Sequence, residues 1–194
     1  MIGSHTLETG AGRGRRPFRE VDLLMAAEIE TVDELFVHDL QDIYSAEQQL
    51  VRALTKMTVA ADAPELRAGL ARHLEQTRHH RRRVQQALSE IGQAPNGDVC
   101  RGIEGLLDEV ERIMSGVSFG PVLDSALIEA ARKVEQYEIM TYRATIARAY
   151  ELGFKDVALL LEWNLQEDEL TDYRLQQLAD GLTPPSGPAA DPRK

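Results

Sequence analysis

The 194-residue sequence has one cysteine, one tryptophan and only 5% aromatic residues. A lone cysteine, Cys100, can form neither an internal disulfide nor a thiolate zinc site, so the usual marks of an oxidising compartment are missing. Positive charge is also scarce: 22 Lys+Arg stand against 32 Asp+Glu, a formal net charge of −10. Phosphate neutralisation needs a basic surface, so nucleic acid is not an expected partner, whereas an acidic surface suits cations. No run approaches the roughly 20 apolar residues of a membrane span. The first 20 residues are polar, carry Arg13, Arg15, Arg16 and Arg19, and lack the apolar centre of an export signal. No membrane association is expected, and the cytoplasm is the expected compartment. The 43% of apolar residues suffices for one sizeable core.

Glycine and proline are confined to a few places, and the segments between them repeat at the helical period with no sustained alternation of the strand type. Residues 1–30 read as a flexible N-terminal arm, 31–181 as the folded domain, and 182–194, with Pro184, Pro185 and Pro188, as a disordered tail. Thr31-Val32-Asp33-Glu34 has the form of a capping box, which starts a first helix running to about Ala60. Pro64 opens a second, ending near Ile91 before Gly92. A shorter amphipathic helix spans about Val99 to Met114, a third long one about Val122 to Leu152, and a fourth about Lys155 to Ala179, closing at Gly181. Four long helices of matched length make a bundle. Short links within the first and last pairs, with one long middle connection carrying its own helix, give an all-α, ferritin-like antiparallel four-helix bundle with one long crossover.

In such a bundle the informative residues are charges on the apolar stripe, because a buried carboxylate must pair or bind metal. On a wheel of about 100° per residue, Glu47 falls between Ile43 and Leu50 on the inner stripe of the first helix. Glu138 lies one turn beyond Val134, with Glu135 beside it. Asp168 follows Leu161 and Leu165, with Glu167 at the edge of that face. On the second helix His73, Thr77 and His80 point inward, while Glu75 and His79 point away. Carboxylates gathered at one level are how bundles hold two hard or borderline cations. The alternative is pairing with inward bases such as Arg81, Arg132 or Arg143, with His73 and His80 as satisfied core histidines. The Glu-x-x-His signature of two-metal bundles is absent: Glu75 is followed three residues on by Arg78, Glu138 by Thr141 and Glu167 by Leu170.

Several strings in order and register, Leu35-Phe36-Val37-His38-Asp39-Leu40, Tyr44-Ser45-Ala46-Glu47-Gln48-Gln49-Leu50, His73-Leu74-Glu75-Gln76-Thr77, Glu104-Gly105-Leu106 after Cys100, Asp124-Ser125-Ala126-Leu127-Ile128 and Lys133-Val134-Glu135-Gln136-Tyr137-Glu138, resemble the YciE/YciF-type ferritin-like proteins. The resemblance covers about Thr31 to Gly181. It implies a four-helix bundle that is usually dimeric, is associated with bacterial stress responses and holds a two-metal centre. By that resemblance Glu47, Glu135, Glu138, Glu167 and Asp168 stand in acidic positions of the family, and Glu75 matches a recurrent acid beside His73. Gln76, Arg78 and Trp163 depart from it, where relatives carry acids or histidine.

With the inward His80, the candidate metal ligands are therefore Glu47, Glu75, His80, Glu135, Glu138, Glu167 and Asp168. An oxygen-rich site with few imidazoles suits iron or manganese. Turnover, if there is any, would be redox work on peroxide or oxygen, with Tyr44, Tyr137 or Tyr142 either supplying a proton or electron or serving as core aromatics. The competing expectation is a non-catalytic dimeric structural or interaction protein with a vestigial metal site. A homodimer is expected in both cases, with no sequence stripe marking its interface. The run Arg78, Arg81, Arg82 and Arg83 reads either as a docking patch or, more simply, as a solvated face.

Overall fold

The computed structural model describes residues 29–182, so the expected N-terminal arm and most of the proline-rich tail lie outside the described residues. Five helices follow in order: α1 Val32–Ala60, α2 Pro64–Glu90, α3 Arg101–Gly116, α4 Pro121–Glu151 and α5 Lys155–Leu182. Among the described residues there is no strand, and no helix is long and apolar enough to cross a membrane.

The helix ends follow their local chemistry. Thr31 accepts from the Glu34 amide at 3.2 Å, while Glu34 Oε2 accepts from the Thr31 amide at 3.0 Å, completing the capping box. Pro64 and Pro121 sit in the first turns of α2 and α4, where a missing N–H costs no hydrogen bond. Gly92 (φ 74°) and Gly153 (φ 80°) turn the chain out of α2 and α4 in a left-handed conformation that disfavours a side chain. At one end the expectation fails: α5 does not stop at Gly181 but continues through it to Leu182. A helix-interior glycine weakens a helix without ending it.

Helices α1 and α2 form one antiparallel hairpin, and α4 and α5 the other. The hairpins meet through α1 on α4 and α2 on α5. Helix α3 crosses between them on the α1/α4 side. The Tyr44–Leu50 string positions this crossover: Ser45 Oγ accepts from the Cys100 amide at 3.0 Å, and Gln49 donates to the Cys100 carbonyl at 3.2 Å. Asp124 ties the two hairpins at one end by accepting from the amides of Asp62 and Ala63, each at 2.8 Å.

The apolar core is divided. One cluster includes Phe36, Leu40, Ile43, Val84, Leu88, Ile146 and Leu161. A second, toward the opposite end, includes Leu54, Met57, Leu66, Leu70, Leu127, Ile128 and Leu175. On every long helix the residues between these clusters are where the polar side chains enter the interior.

Candidate metal centre

The level between the two apolar clusters contains Glu47, His73, Thr77, His80, Glu135, Glu138, Asn164 and Asp168, all buried. Each helix delivers its share by periodicity. His73, Thr77 and His80 are spaced four and three apart on α2, and Glu135 and Glu138 three apart on α4, so each set lies on one face.

Two groupings stand out. His73 Nε2 lies 2.8 Å from Glu135 Oε1, and ligand atoms of His73, Glu135 and Glu138 all lie within 4.8 Å of one another. In the other grouping the His80 ring is surrounded by acids: Nε2 is 2.8 Å from Glu167 Oε2, and Nδ1 is 3.4 Å from both Glu47 Oε1 and Asp168 Oδ1. Tyr142 donates to Glu47 Oε1 at 2.5 Å and accepts from Asn164 Nδ2 at 2.9 Å. Arg83 donates to Asn164 Oδ1 and Glu167 Oε2, both at 2.8 Å, and closes the edge of the cluster.

The carboxylates are under-satisfied. Glu47 Oε2, both oxygens of Glu135, Glu138 Oε2 and both oxygens of Asp168 have no hydrogen-bond partner, and neither do Nδ1 of His73 and Nδ1 of His80. Buried polar atoms in folded proteins are nearly always bonded, so six orphaned carboxylate oxygens at one level need an explanation. The arginines considered as partners do not supply one. Arg132 pairs with Asp172 and Arg143 with Glu169, and Arg81 makes no ion pair among the described residues.

The electrostatics reflect the crowding. Burial pushes Glu138 well above the usual carboxylate range, and the charges of Glu47, Asp168 and Glu135 add to it. Burial also raises Asp168, against the opposing pull of His80. For His80, burial favours the neutral ring, but Asp168 and Glu47 outweigh it with the Glu167 hydrogen bond and hold the group up to about 10. Glu167 is held down to about 2, first by its bond to His80, against partial burial, and then by Arg83. Burial beside Glu47 raises the Tyr142 phenol well above its ordinary value.

Glu47, His80, Glu135, Glu138 and Asp168 thus come together, with Glu167 at the rim. Glu75 does not join them: its side chain is 63% exposed and pairs with Arg78 on the outer face of α2. The wheel pointed Glu75 outward, and helical geometry prevails there over the family pattern. His73 takes the place expected of Glu75; its inward position was legible, but its partnership with Glu135 was not. Asn164 and the reach of Arg83 across to α5 had no signal in the sequence. Of the tyrosines, Tyr142 enters the cluster, while Tyr137 faces the Cys100 thiol at 3.4 Å. A narrow gap beside Glu138 and Tyr142, lined by Asp42, Tyr137 and Thr141, adjoins a surface depression between α1 and α4 that shares those three residues.

A family described only as a domain of unknown function, DUF892, matches residues 31–185. The chain belongs to the DUF892 family. Protein YciF of Escherichia coli (strain K12) is 38% identical over 152 residues, spanning 78% of this chain and 92% of YciF. The crystal structure of the E. coli stress protein YciF superposes with a TM-score of 0.77 at 37% identity, covering 79% of this chain and 98% of that one. YcfI from Rhodopseudomonas palustris gives 0.76 at 38% identity, with the same coverage of 79% and 98%. A dodecameric thioferritin, the bacterioferritin-related protein of Bacteroides fragilis, matches at a TM-score of 0.60 and 17% identity over 77% of this chain and 87% of its own. That likeness concerns the fold, which is the ferritin-like bundle.

Proposed function

We propose that this DUF892 protein is a ferritin-like bacterial stress protein whose bundle centre holds a carboxylate-rich two-metal site for iron or manganese. The observation that carries the reading is the set of six buried carboxylate oxygens on Glu47, Glu135, Glu138 and Asp168 that accept no hydrogen bond, with no arginine on any of these four acids among the described residues. Buried carboxylates are costly to keep without compensation; His73 and His80 offer part of it, and cations supply the rest. The donor set fits: oxygen-rich, with two imidazoles, and without thiolate. His73, Glu135 and Glu138 would hold one ion, and Glu47 and Asp168 the other. His80 and Tyr142 orient the second pair of acids, and Glu167 holds His80. The relationship to a protein named for stress supports the physiological part of the reading.

Bound iron or manganese would supply the electrons for redox work on peroxide or oxygen. The chain's own contribution is positional: Tyr142 fixes Glu47, Asn164 and Arg83 fix Tyr142 and Glu167, and the apolar clusters above and below limit water. The gap past Asp42, Tyr137 and Thr141 offers a route for ions and small oxidants. In the competing structural reading the central acids are neutralised by arginine. Among the described residues arginine reaches the cluster through Arg83, which bonds Asn164 and Glu167 and none of Glu47, Glu135, Glu138 and Asp168, and this favours metal.

The partner read for this chain is a second copy. Leu159, Trp163, Leu170 and Tyr173 are all exposed, and with Gln166 they form one stripe on α5 opposite its buried face. The stripe is self-complementary about Gln166: in an antiparallel pair of α5 helices, Leu159 meets Tyr173 and Trp163 meets Leu170 across a two-fold axis.

The deciding experiment is elemental analysis of full-length protein purified without chelator, read against Glu135→Ala. Near-stoichiometric iron or manganese that falls in the variant is the expected result. Metal-free protein that added metal neither binds nor stabilises would overturn the reading.

A further inference from the structure

A second cavity, not used by the proposed metal centre, lies between α2 and α5. Its volume is about 470 Å³, within the roughly 300–1,000 Å³ range of small-molecule sites. Leu70, Leu175 and Leu178 line it, and His73 stands in its wall. That histidine is buried, has Nε2 2.8 Å from Glu135 Oε1 and leaves Nδ1 without a hydrogen bond. Arg72 and Arg174 also line the cavity; both are exposed, and among the described residues neither has a carboxylate partner. Glu65 is the single acid of the wall.

Gly69 in the interior of α2 belongs to the same wall. A Cβ there would meet only Leu178 Cδ1, at 3.7 Å, an ordinary contact, so the backbone does not demand glycine. Glycine weakens a helix interior, and here it leaves the space beside Leu178 open.

From these features we infer that the α2/α5 cavity is a binding site for a small carboxylate with an extended apolar body, such as a medium-chain fatty acid. The aliphatic body lies against Leu70, Leu175 and Leu178, and the carboxylate is held by Arg72 and Arg174. Guanidinium is the side chain best suited to carboxylate recognition, and two unpaired arginines beside an apolar cavity match the two ends of one amphipathic anion. A cation with the same tail would face like charge and be rejected. Because His73 stands in both walls, the bound molecule would lie next to the proposed metal centre. The site itself does not depend on that centre being loaded.

The test is calorimetric titration of the full-length protein with decanoate, once in excess chelator and once after manganese loading, so that failure of the metal reading leaves this result standing. Saturable binding of one decanoate per chain is expected under both conditions, with decyltrimethylammonium not binding. Arg174→Gln and Arg72→Gln, both surface changes that leave the fold intact, should each weaken binding about tenfold or more, the loss of one charge-assisted contact. Gly69→Ala should retain binding, and Gly69→Phe, which fills the cavity, should abolish it. If Gly69→Phe fails to fold, the arginine variants decide. Absence of saturable binding by the wild type, or wild-type affinity in both arginine variants, would overturn the inference. So would binding that emerges only when residues 183–194 are removed, since the cavity would then belong to the chain's own tail.

Discussion

The hydroxyl of Tyr142 on α4 donates to Glu47 on α1 at 2.5 Å and accepts from Asn164 on α5 at 2.9 Å, so one phenol joins three helices at the level of the carboxylate cluster. Tyr142→Phe keeps the ring and removes both bonds, leaving a buried carboxylate and a buried amide each short of a partner. An unsatisfied buried polar group costs about 1–3 kcal/mol. Urea denaturation of the metal-free variant should show a loss of that size with little change in the denaturant slope. An unchanged midpoint would mean that the bond carries no net stability.

The pH dependence of the metal-free protein follows from three groups with the same sign. Glu138 and Asp168 have folded pKa values raised by burial and by neighbouring carboxylates, and His80 is raised from 6.5 to about 10. In each case the native state keeps protons that the unfolded state has released, so stability falls as pH rises. Glu167 has the opposite sign, but its contribution is complete above its ordinary value of 4.5 and is lost only toward about 2. Melting temperature should therefore decline from pH 6.5 to 10 in chelator, and His80→Gln should flatten that decline. A wild-type profile that rises over this range contradicts the assignment. Metal binding displaces protons from the ligands, so manganese should stabilise the protein more at pH 8 than at pH 6.

Glu75 and Glu138 provide a paired control. Glu75 is exposed and, among the described residues, pairs only with its neighbour Arg78. Glu75→Ala should leave metal content unchanged and shift stability by no more than about 0.5 kcal/mol, as is usual at such surface sites. Glu138→Ala should lower metal content while raising the stability of the metal-free protein, because it removes a buried acid from a crowded cluster. Equal losses of metal in the two variants would contradict the exclusion of Glu75 from the centre.

Trp163 tests the α5 stripe. The residue is 57% exposed and, among the described residues, its ring faces the Arg83 guanidinium, 5.9 Å from the ring centre. Trp163→Glu puts like charges near a two-fold axis. Light scattering should show a dimer for the wild type and a monomer for the variant, with helical content preserved. A variant that remains dimeric would require a different face.

The helix ends and the inward side of each helix were legible because they rest on local rules. Thr31, Pro64 and Gly92 mark boundaries by cap geometry and backbone freedom, and Glu47, His80, Glu138 and Asp168 follow from counting residues per turn. What crossed between helices was not legible. Nothing within α2 indicates that Arg83 reaches Asn164 and Glu167, or that His73 meets Glu135, since these pairings depend on how two hairpins settle together. The outer apolar stripe of α5 was not legible for a related reason. Leu159, Trp163, Leu170 and Tyr173 share the helical period with the core, and only burial tells an outer apolar face from an inner one.

The division of the cluster between hairpins has a further consequence. Glu47, His73 and His80 come from the α1–α2 hairpin, while Glu135, Glu138 and Asp168 come from α4 and α5. Neither half carries the whole donor set, and both bring acids to the seam where they join. Closing that seam without a metal ion leaves buried acids to hold protons or to lean on His80, whereas in the proposed centre metal ions would take that place and the same residues would act as a clasp. In the proposed metal-loaded state, joining of the two hairpins and capture of the ions would be one event.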